Sequence, residues 1–147
     1  MRKVLSCGVI YICNNQFLIG HVTNSNFWSL PKGINEQDEH PGVTAARELF
    51  EETGIRIDTK SDNYHYIGIF KYCPEKDLCL FMYEASSLVP VEELKCISMF
   101  ENSINGKLQP EIDKYMYTTL DGAKGKLLDR QYNILKDVFL KYGIKCS

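Results

Sequence analysis

The chain has 147 residues, 17 lysines and arginines against 19 aspartates and glutamates, a formal net charge of −2 and 44% apolar residues. That length suits one domain over residues 1–147, large enough to bury a core without staples, and the apolar share speaks for a globular chain rather than a disordered one. The near balance of charge argues against a protein held to nucleic acid or to a membrane surface by bulk electrostatics, since such proteins carry a basic excess. The longest apolar run, Val4–Cys13, is broken by Ser6, Gly8 and Tyr11 and falls short of the roughly 18–20 residues of a membrane span. The N-terminal stretch is too short and too β-branched for a secretory signal. A cytoplasmic protein with no membrane partner is the expectation. Six cysteines (Cys7, Cys13, Cys73, Cys79, Cys96 and Cys146) show no C-x2-C spacing, and only three histidines accompany them. Buried reduced thiols are the simpler reading, ahead of a metal or redox group.

Taken in chain order, residues 4–12 and 16–21 are β-rich and are joined through Asn14 and Asn15, a tight hairpin turn. A polar loop over 22–26 leads to Phe27, Trp28, Ser29 and Leu30, then to a turn at Pro31, Lys32 and Gly33. Pro41 and Gly42 open a helical pattern that runs to Thr53, with Gly54 as its stop. Residues 64–72 and 78–85 alternate like paired strands around a turn at Pro74, Glu75, Lys76 and Asp77. The stretch 86–108 is poorly patterned, with strand character only at 97–100, and 112–118 reads as a further strand. Over 131–142, Ile134, Leu135, Val138, Phe139 and Tyr142 fall at helical spacing, a packing helix with its apolar face inward. Strands, helix, strands, helix make an α/β or α+β domain.

The first helix carries the chemistry. At about 100° per residue, Arg47, Glu48, Glu51 and Glu52 share an arc of about 140°, opposite Val43, Ala45, Ala46, Leu49, Phe50 and Thr53. Like charges at i,i+3 and i,i+4 repel by a few tenths of a kcal/mol each, and only Arg47 interrupts them. Three carboxylates on adjacent turns suit a hard divalent cation such as Mg2+. A solvated acidic face is the alternative that local physics leaves open.

The wider spacing is Gly33, five residues, Glu39, seven residues, Arg47-Glu48-Leu49, one residue, Glu51-Glu52, one residue, Gly54-Ile55. It matches the signature of the Nudix hydrolases at every defined position, a coincidence expected by chance on the order of 10⁻⁷ or less. The resemblance implies an α-β-α sandwich with a mixed sheet between helices, the motif forming a loop, helix and loop. It also implies a reaction, hydrolysis of a phosphoanhydride bond in a nucleoside diphosphate linked to another group, with Mg2+ or Mn2+ as cofactor. The chemistry agrees, because divalent ions must screen phosphate oxygens and activate water. By the same resemblance Glu51 and Glu52 are metal ligands, and the main-chain carbonyl of Lys32 joins them. Glu48 is a further ligand or takes part in removing the proton of the attacking water. Arg47 orients the acids by ion pairing, Glu39 braces the loop, and Gly33 and Gly54 are backbone devices.

Three local features bear on the substrate. Trp28-Ser29-Leu30-Pro31-Lys32-Gly33 resembles the W-x-x-P-K-G run of family members that cleave dinucleoside polyphosphates and of relatives acting on inositol pyrophosphates. Lys32 would then meet extra phosphates, and Trp28 is either a wall of the base site or a core aromatic. Tyr72, 17 residues beyond Ile55, stands near the position where dinucleoside polyphosphate hydrolases carry a base-stacking tyrosine. Pro110, Glu111, Ile112 and Asp113 resemble the loop before the last strand, where relatives place one more catalytic or metal-binding acid. Glu111 is the choice there, with Glu92 and Glu93 as rivals. No proline signature of ADP-ribose members and no coenzyme A pattern follows the motif, and Lys32-Gly33 stands where RNA 5′-pyrophosphohydrolases usually show Gln-Gly. The expected substrate is a dinucleoside polyphosphate. Nucleoside triphosphates or the RNA 5′ end are alternatives, and a non-catalytic nucleotide-binding module of this fold is a weaker one, since the motif acids are all kept.

Overall fold

The β-branched run near the N-terminus forms β1 (Val4–Cys13), and Asn14, whose short polar side chain tolerates a φ of 58°, turns it back into β2 (Gln16–Val22). The computed structural model describes residues 3–147. The two strands pair only at Ile12↔Phe17 and Cys13↔Gln16 and then part. Into the opening come β3 (Trp28–Ser29), paired with β2, and β4 (Lys32–Ile34), paired with β1. This corrects the turn expected at Pro31, Lys32 and Gly33, of which Lys32 and Gly33 are strand. Their backbone can pair with Ser6, Cys7 and Gly8 because Gly8 has no side chain: a Cβ there would sit 2.9 Å from the Pro31 carbonyl oxygen.

The other edge of β1 pairs in parallel with β6 (Lys76–Glu84), which carries the antiparallel edge strand β5 (Tyr64–Cys73). The last strand of the sheet, β9 (Ile112–Thr118), lies against β2. The sheet is therefore mixed and seven-stranded. Alternation along β1 sends Cys7, Val9 and Tyr11 to one face and Ile10 and Ile12 to the other. Helix α1 (Pro41–Thr53) covers the first face with Ala45 and Leu49, while α2 (Leu120–Ala123) and α3 (Asp129–Tyr142) cover the second with Leu120, Leu135 and Phe139. This is the α-β-α sandwich. The described residues include no helix long and apolar enough to cross a membrane, and all six cysteines are free thiols.

Where the sequence has little pattern, the elements are short. A 3₁₀ turn at Val91–Glu93 is followed by a hairpin of β7 (Met99–Glu101) and β8 (Leu108–Pro110) that belongs to a separate two-stranded sheet. Strands of three residues are too short to establish a period. Helix α3 begins at Asp129, two residues earlier than its apolar spacing suggested.

Helix α3 does more than pack. Gln131 is 1% exposed. Its Oε1 accepts the Leu30 amide at 2.7 Å, and its Nε2 donates to Ser29 Oγ at 3.2 Å and to the Tyr72 hydroxyl at 3.3 Å. Just ahead of the helix, the Lys126 carbonyl accepts the Trp28 amide at 2.8 Å. The link from β3 to β4 is thus held by the C-terminal helix. Replacing Gln131 with Leu leaves the buried Leu30 amide without a partner, so urea unfolding should show a loss of about 1–3 kcal/mol with an unchanged slope. An unchanged midpoint would mean that these bonds contribute nothing.

Candidate active site

The buried stripe of α1 runs through Ala45, Leu49 and Glu52, spaced i, i+4 and i+7. Glu52 therefore leaves the solvated arc in which the helical wheel placed it and is only 5% exposed, whereas Val43, assigned to the apolar side, is 46% exposed. Burial pushes the Glu52 carboxyl well above the usual carboxylate range, and the charges of Glu48 and Glu111 push the same way. The Lys32 ammonium and backbone oppose them. Burial also raises Glu48, against the pull of Arg47.

Arg47 is the hub of the acids. Its Nε donates to Glu39 Oε2 at 2.8 Å and its Nη2 to Glu39 Oε1 at 3.0 Å, a bidentate pair. Its Nη1 donates to Glu48 Oε2 at 2.8 Å and to Glu51 Oε1 at 3.1 Å. Glu39 also accepts from Thr44 Oγ1 at 2.7 Å. The carboxylate of Glu48 lies directly against the backbone of Gly33, where a Cβ would fall 2.0 Å from it. A side chain at position 33 would displace that carboxylate.

Both ends of α1 are pinned. His40 Nδ1 accepts the Gly42 amide at 3.0 Å, and the Tyr64 hydroxyl donates to the Gly42 carbonyl at 2.8 Å. At the other end Gly54, at φ 81°, donates to Phe50 at 2.7 Å. The Glu51 carbonyl accepts the amides of Ile97 and Ser98 at 2.8 and 3.1 Å, the Thr53 carbonyl accepts that of Lys95 at 3.0 Å, and the Tyr115 hydroxyl donates to the Glu52 carbonyl. The orphan carbonyls of the last turn are satisfied by the unpatterned stretch and by β9. Tyr64 and Tyr115 look like ordinary strand aromatics, so nothing in the sequence marks these roles.

Beside the helix end lies a cleft of about 360 Å³, lined by the charged residues Lys32, Glu52 and Glu111 and by the apolar residues Leu30, Phe100 and Ile112. Glu111 reaches it from the junction of β8 and β9, where its amide donates to Ser98 at 2.9 Å and its carbonyl accepts from Thr23 at 3.0 Å. Glu92 and Glu93 stay on the 3₁₀ turn, and Glu93 lines a different depression beside Gly54. Glu51 is turned to Arg47. Trp28 is absent from the cleft wall, half-buried with its ring 5.3 Å from that of His21 and the Lys126 ammonium 5.8 Å above it. Tyr72, expected to offer a face for stacking, is 9% exposed and also off the cleft. The Lys32 ammonium and the Arg130 guanidinium lie 5.4 and 5.0 Å from its ring centre. Core burial has made it a support for two cations. Nothing in the local sequence marks Phe100 or Arg130, because one sits on a three-residue strand and the other lies in the first turn of a helix whose periodic signal is its apolar face.

Among the described residues no three acids are already gathered as a metal-binding cluster. The donors near the cleft are nonetheless oxygens, the set a hard divalent cation takes, and no lysine or arginine among the described residues is in ion-pair contact with buried Glu52. A carboxyl buried in this way keeps its proton unless positive charge meets it.

The family model of the NUDIX domain matches residues 2–138. The chain belongs to the Nudix hydrolase family. It is 36% identical over 127 residues to an uncharacterized 17.7 kDa protein of Enterobacteria phage T4, covering 77% of this chain and 80% of the phage protein. Over 64 residues it is 34% identical to the RNA pyrophosphohydrolase of Bartonella tribocorum, covering 40% of this chain and 37% of that one. In structure it superposes on a bifunctional NMN adenylyltransferase/ADP-ribose pyrophosphatase from Francisella tularensis, solved with AMP and a manganese ion, with a TM-score of 0.73 at 16% identity. That match covers 95% of this chain and 42% of the Francisella chain.

The Glu39–Arg47 pair gives a pH signature. Arg47 holds the Glu39 carboxyl at about 2, below its ordinary 4.5. A depressed carboxyl stabilises the fold above its unfolded value and loses that contribution as pH falls through its folded value. Glu39→Gln should therefore cost on the order of 1–2 kcal/mol at neutral pH, a difference that shrinks below about pH 4.5 and vanishes near pH 2. Unfolding curves of both proteins across pH measure it, and a pH-independent difference would assign the effect to packing.

Proposed function

We propose that this Nudix hydrolase is a Mg2+- or Mn2+-dependent pyrophosphohydrolase of nucleoside polyphosphates, and that dinucleoside polyphosphates are its preferred substrates. The observation that carries the reading is the cleft lined together by buried Glu52, Glu111 and Lys32. Glu52, Glu48, Glu111, Glu51 and the Lys32 carbonyl are the groups that would hold the ion. Once bound, such an ion screens phosphate oxygens and makes the attacking water more acidic.

The rest is done by side chains. Arg47, itself clamped by Glu39, fixes the Glu48 carboxylate against Gly33, and burial raises the proton affinity of Glu48, as a general base requires. The Lys32 ammonium neutralises phosphate charge beside the acids. Lys32 and Arg130 flank Tyr72, and neither is in an ion pair with an acid among the described residues. That supplies positive charge beyond the scissile linkage, which favours a long polyphosphate. The local similarity to an RNA pyrophosphohydrolase supports triphosphorylated RNA as the second reading. Product identification with Mg2+ on diadenosine tetraphosphate, nucleoside triphosphates, ADP-ribose and triphosphorylated RNA decides between them, and full turnover in excess chelator would overturn the metal-dependent reading.

Glu52→Gln should lower turnover about a hundredfold or more, comparable to removing a transition-state contact of roughly 3 kcal/mol. Its melting temperature should be unchanged or higher, because a buried charge is removed. Added Mg2+ should stabilise the wild type more than the variant. Normal activity in the folded variant sinks the assignment. Lys32→Ala should harm four- and five-phosphate substrates more than short ones, whereas an equal loss at every length makes Lys32 a backbone-positioned residue only.

A further inference from the structure

We infer that Phe100 is the residue on which the substrate's nucleobase stacks, an inference that rests on the reading of the cleft as a nucleotide site. Phe100 is the one aromatic side chain lining the cleft among the described residues, and it shares that lining with the apolar Val22, Leu30 and Ile112 and with the acids Glu52 and Glu111. Apolar side chains, an aromatic ring among them, together with acids able to hold a divalent ion are the chemistry that receives a nucleotide, the base on the ring and the phosphates on the ion.

The ring is otherwise unused. Phe100 is half-buried, belongs to neither hydrophobic core and has no aromatic partner among the described residues. By contrast, Tyr72 is packed in the core and Trp28 lies against His21. A large apolar side chain left out of both cores yet held in place points to a ligand.

It is held well. Phe100 pairs with Gln109 across the β7–β8 hairpin. The Gln109 side chain accepts from Asn24 Nδ2 at 2.9 Å and from Asn102 Nδ2 at 2.8 Å. The base of the hairpin is tied to the Glu51 carbonyl through Ile97 and Ser98, and Thr23 Oγ1 donates to the Pro110 carbonyl at 2.6 Å. The same hairpin ends at Glu111. It therefore sets the distance between a stacking face and a catalytic acid. The hydroxyls of Thr23 and Ser29 in the cleft already donate to backbone carbonyls, that of Pro110 and that of Leu30 at 2.8 Å, so recognition rests on stacking, which every base supports, more than on reading base edges.

Calorimetry with AMP and with ribose 5-phosphate, in Mg2+, tests this on the whole chain; neither probe has an anhydride to cleave. Phe100→Leu should weaken AMP about tenfold, within the range for loss of one base–aromatic stack, leave ribose 5-phosphate unchanged, and raise KM for a nucleotide substrate more than it lowers kcat. Phe100→Trp should bind AMP as well as the wild type or better. Equal AMP affinity in the wild type and Phe100→Leu, equal losses for AMP and ribose 5-phosphate, or a Trp variant as weak as the Leu variant would each overturn the inference. A wild type that cleaves nucleotides while Phe100→Leu keeps its KM removes only the stacking role. A wild type that neither binds AMP nor cleaves any nucleotide removes the proposed function with it.

Discussion

A carboxylate kept almost out of water at the end of a helix is the constraint on which the rest of this structure depends. Burial of Glu52 opposes folding, and the C-terminus of α1 adds the negative end of the helix dipole to it. What surrounds it answers both problems. The last-turn carbonyls are covered by the amides of Lys95, Ile97 and Ser98 and by Tyr115. The neighbouring acids Glu39, Glu48 and Glu51 are gathered on one guanidinium, and Lys32 lies close enough to lower the carboxyl. A metal site, in the proposed function, is what such a residual imbalance is for.

The cleft exists because a hairpin opens. Had β1 and β2 stayed paired along their length, there would be no place for the segment that carries Lys32 and Gly33. The opening is stabilised from three sides: Gly8 permits close backbone approach, Gly33 receives the Glu48 carboxylate, and Gln131 binds the connecting backbone from the opposite helical layer. Site geometry is in this way tied to the packing of α3, far from the motif in sequence. A fold held by such a layered core tolerates wide change in its residues, and the superposition on the Francisella protein at 16% identity is an instance.

The unpatterned stretch joins several parts of the site. It passes from the 3₁₀ turn across the end of α1, forms the hairpin that offers Phe100, and delivers Glu111 to the cleft before β9 begins. Its lack of periodicity follows from its work: its backbone bonds go to helix carbonyls and to a small separate sheet rather than to a long ladder.

The sequence by itself determined the motif helix from Pro41 to Thr53 with its glycine stop and the long strands, because these are written in local spacing and in the alternation of apolar residues. Its motif carried the resemblance to a family and, through that resemblance, the three-layer sandwich. The family resemblance also singled out Arg47 as the partner of the acids, and the structure has it paired with Glu39, Glu48 and Glu51. Only the tertiary structure decided that Glu52 faces inward while Val43 faces out, that Glu111 and not Glu93 enters the cleft, and that Tyr72 is buried beneath Lys32 and Arg130. The same holds for Phe100. Each of these depends on how one element is rotated or displaced against another, a property of packing between distant segments that no local periodicity contains.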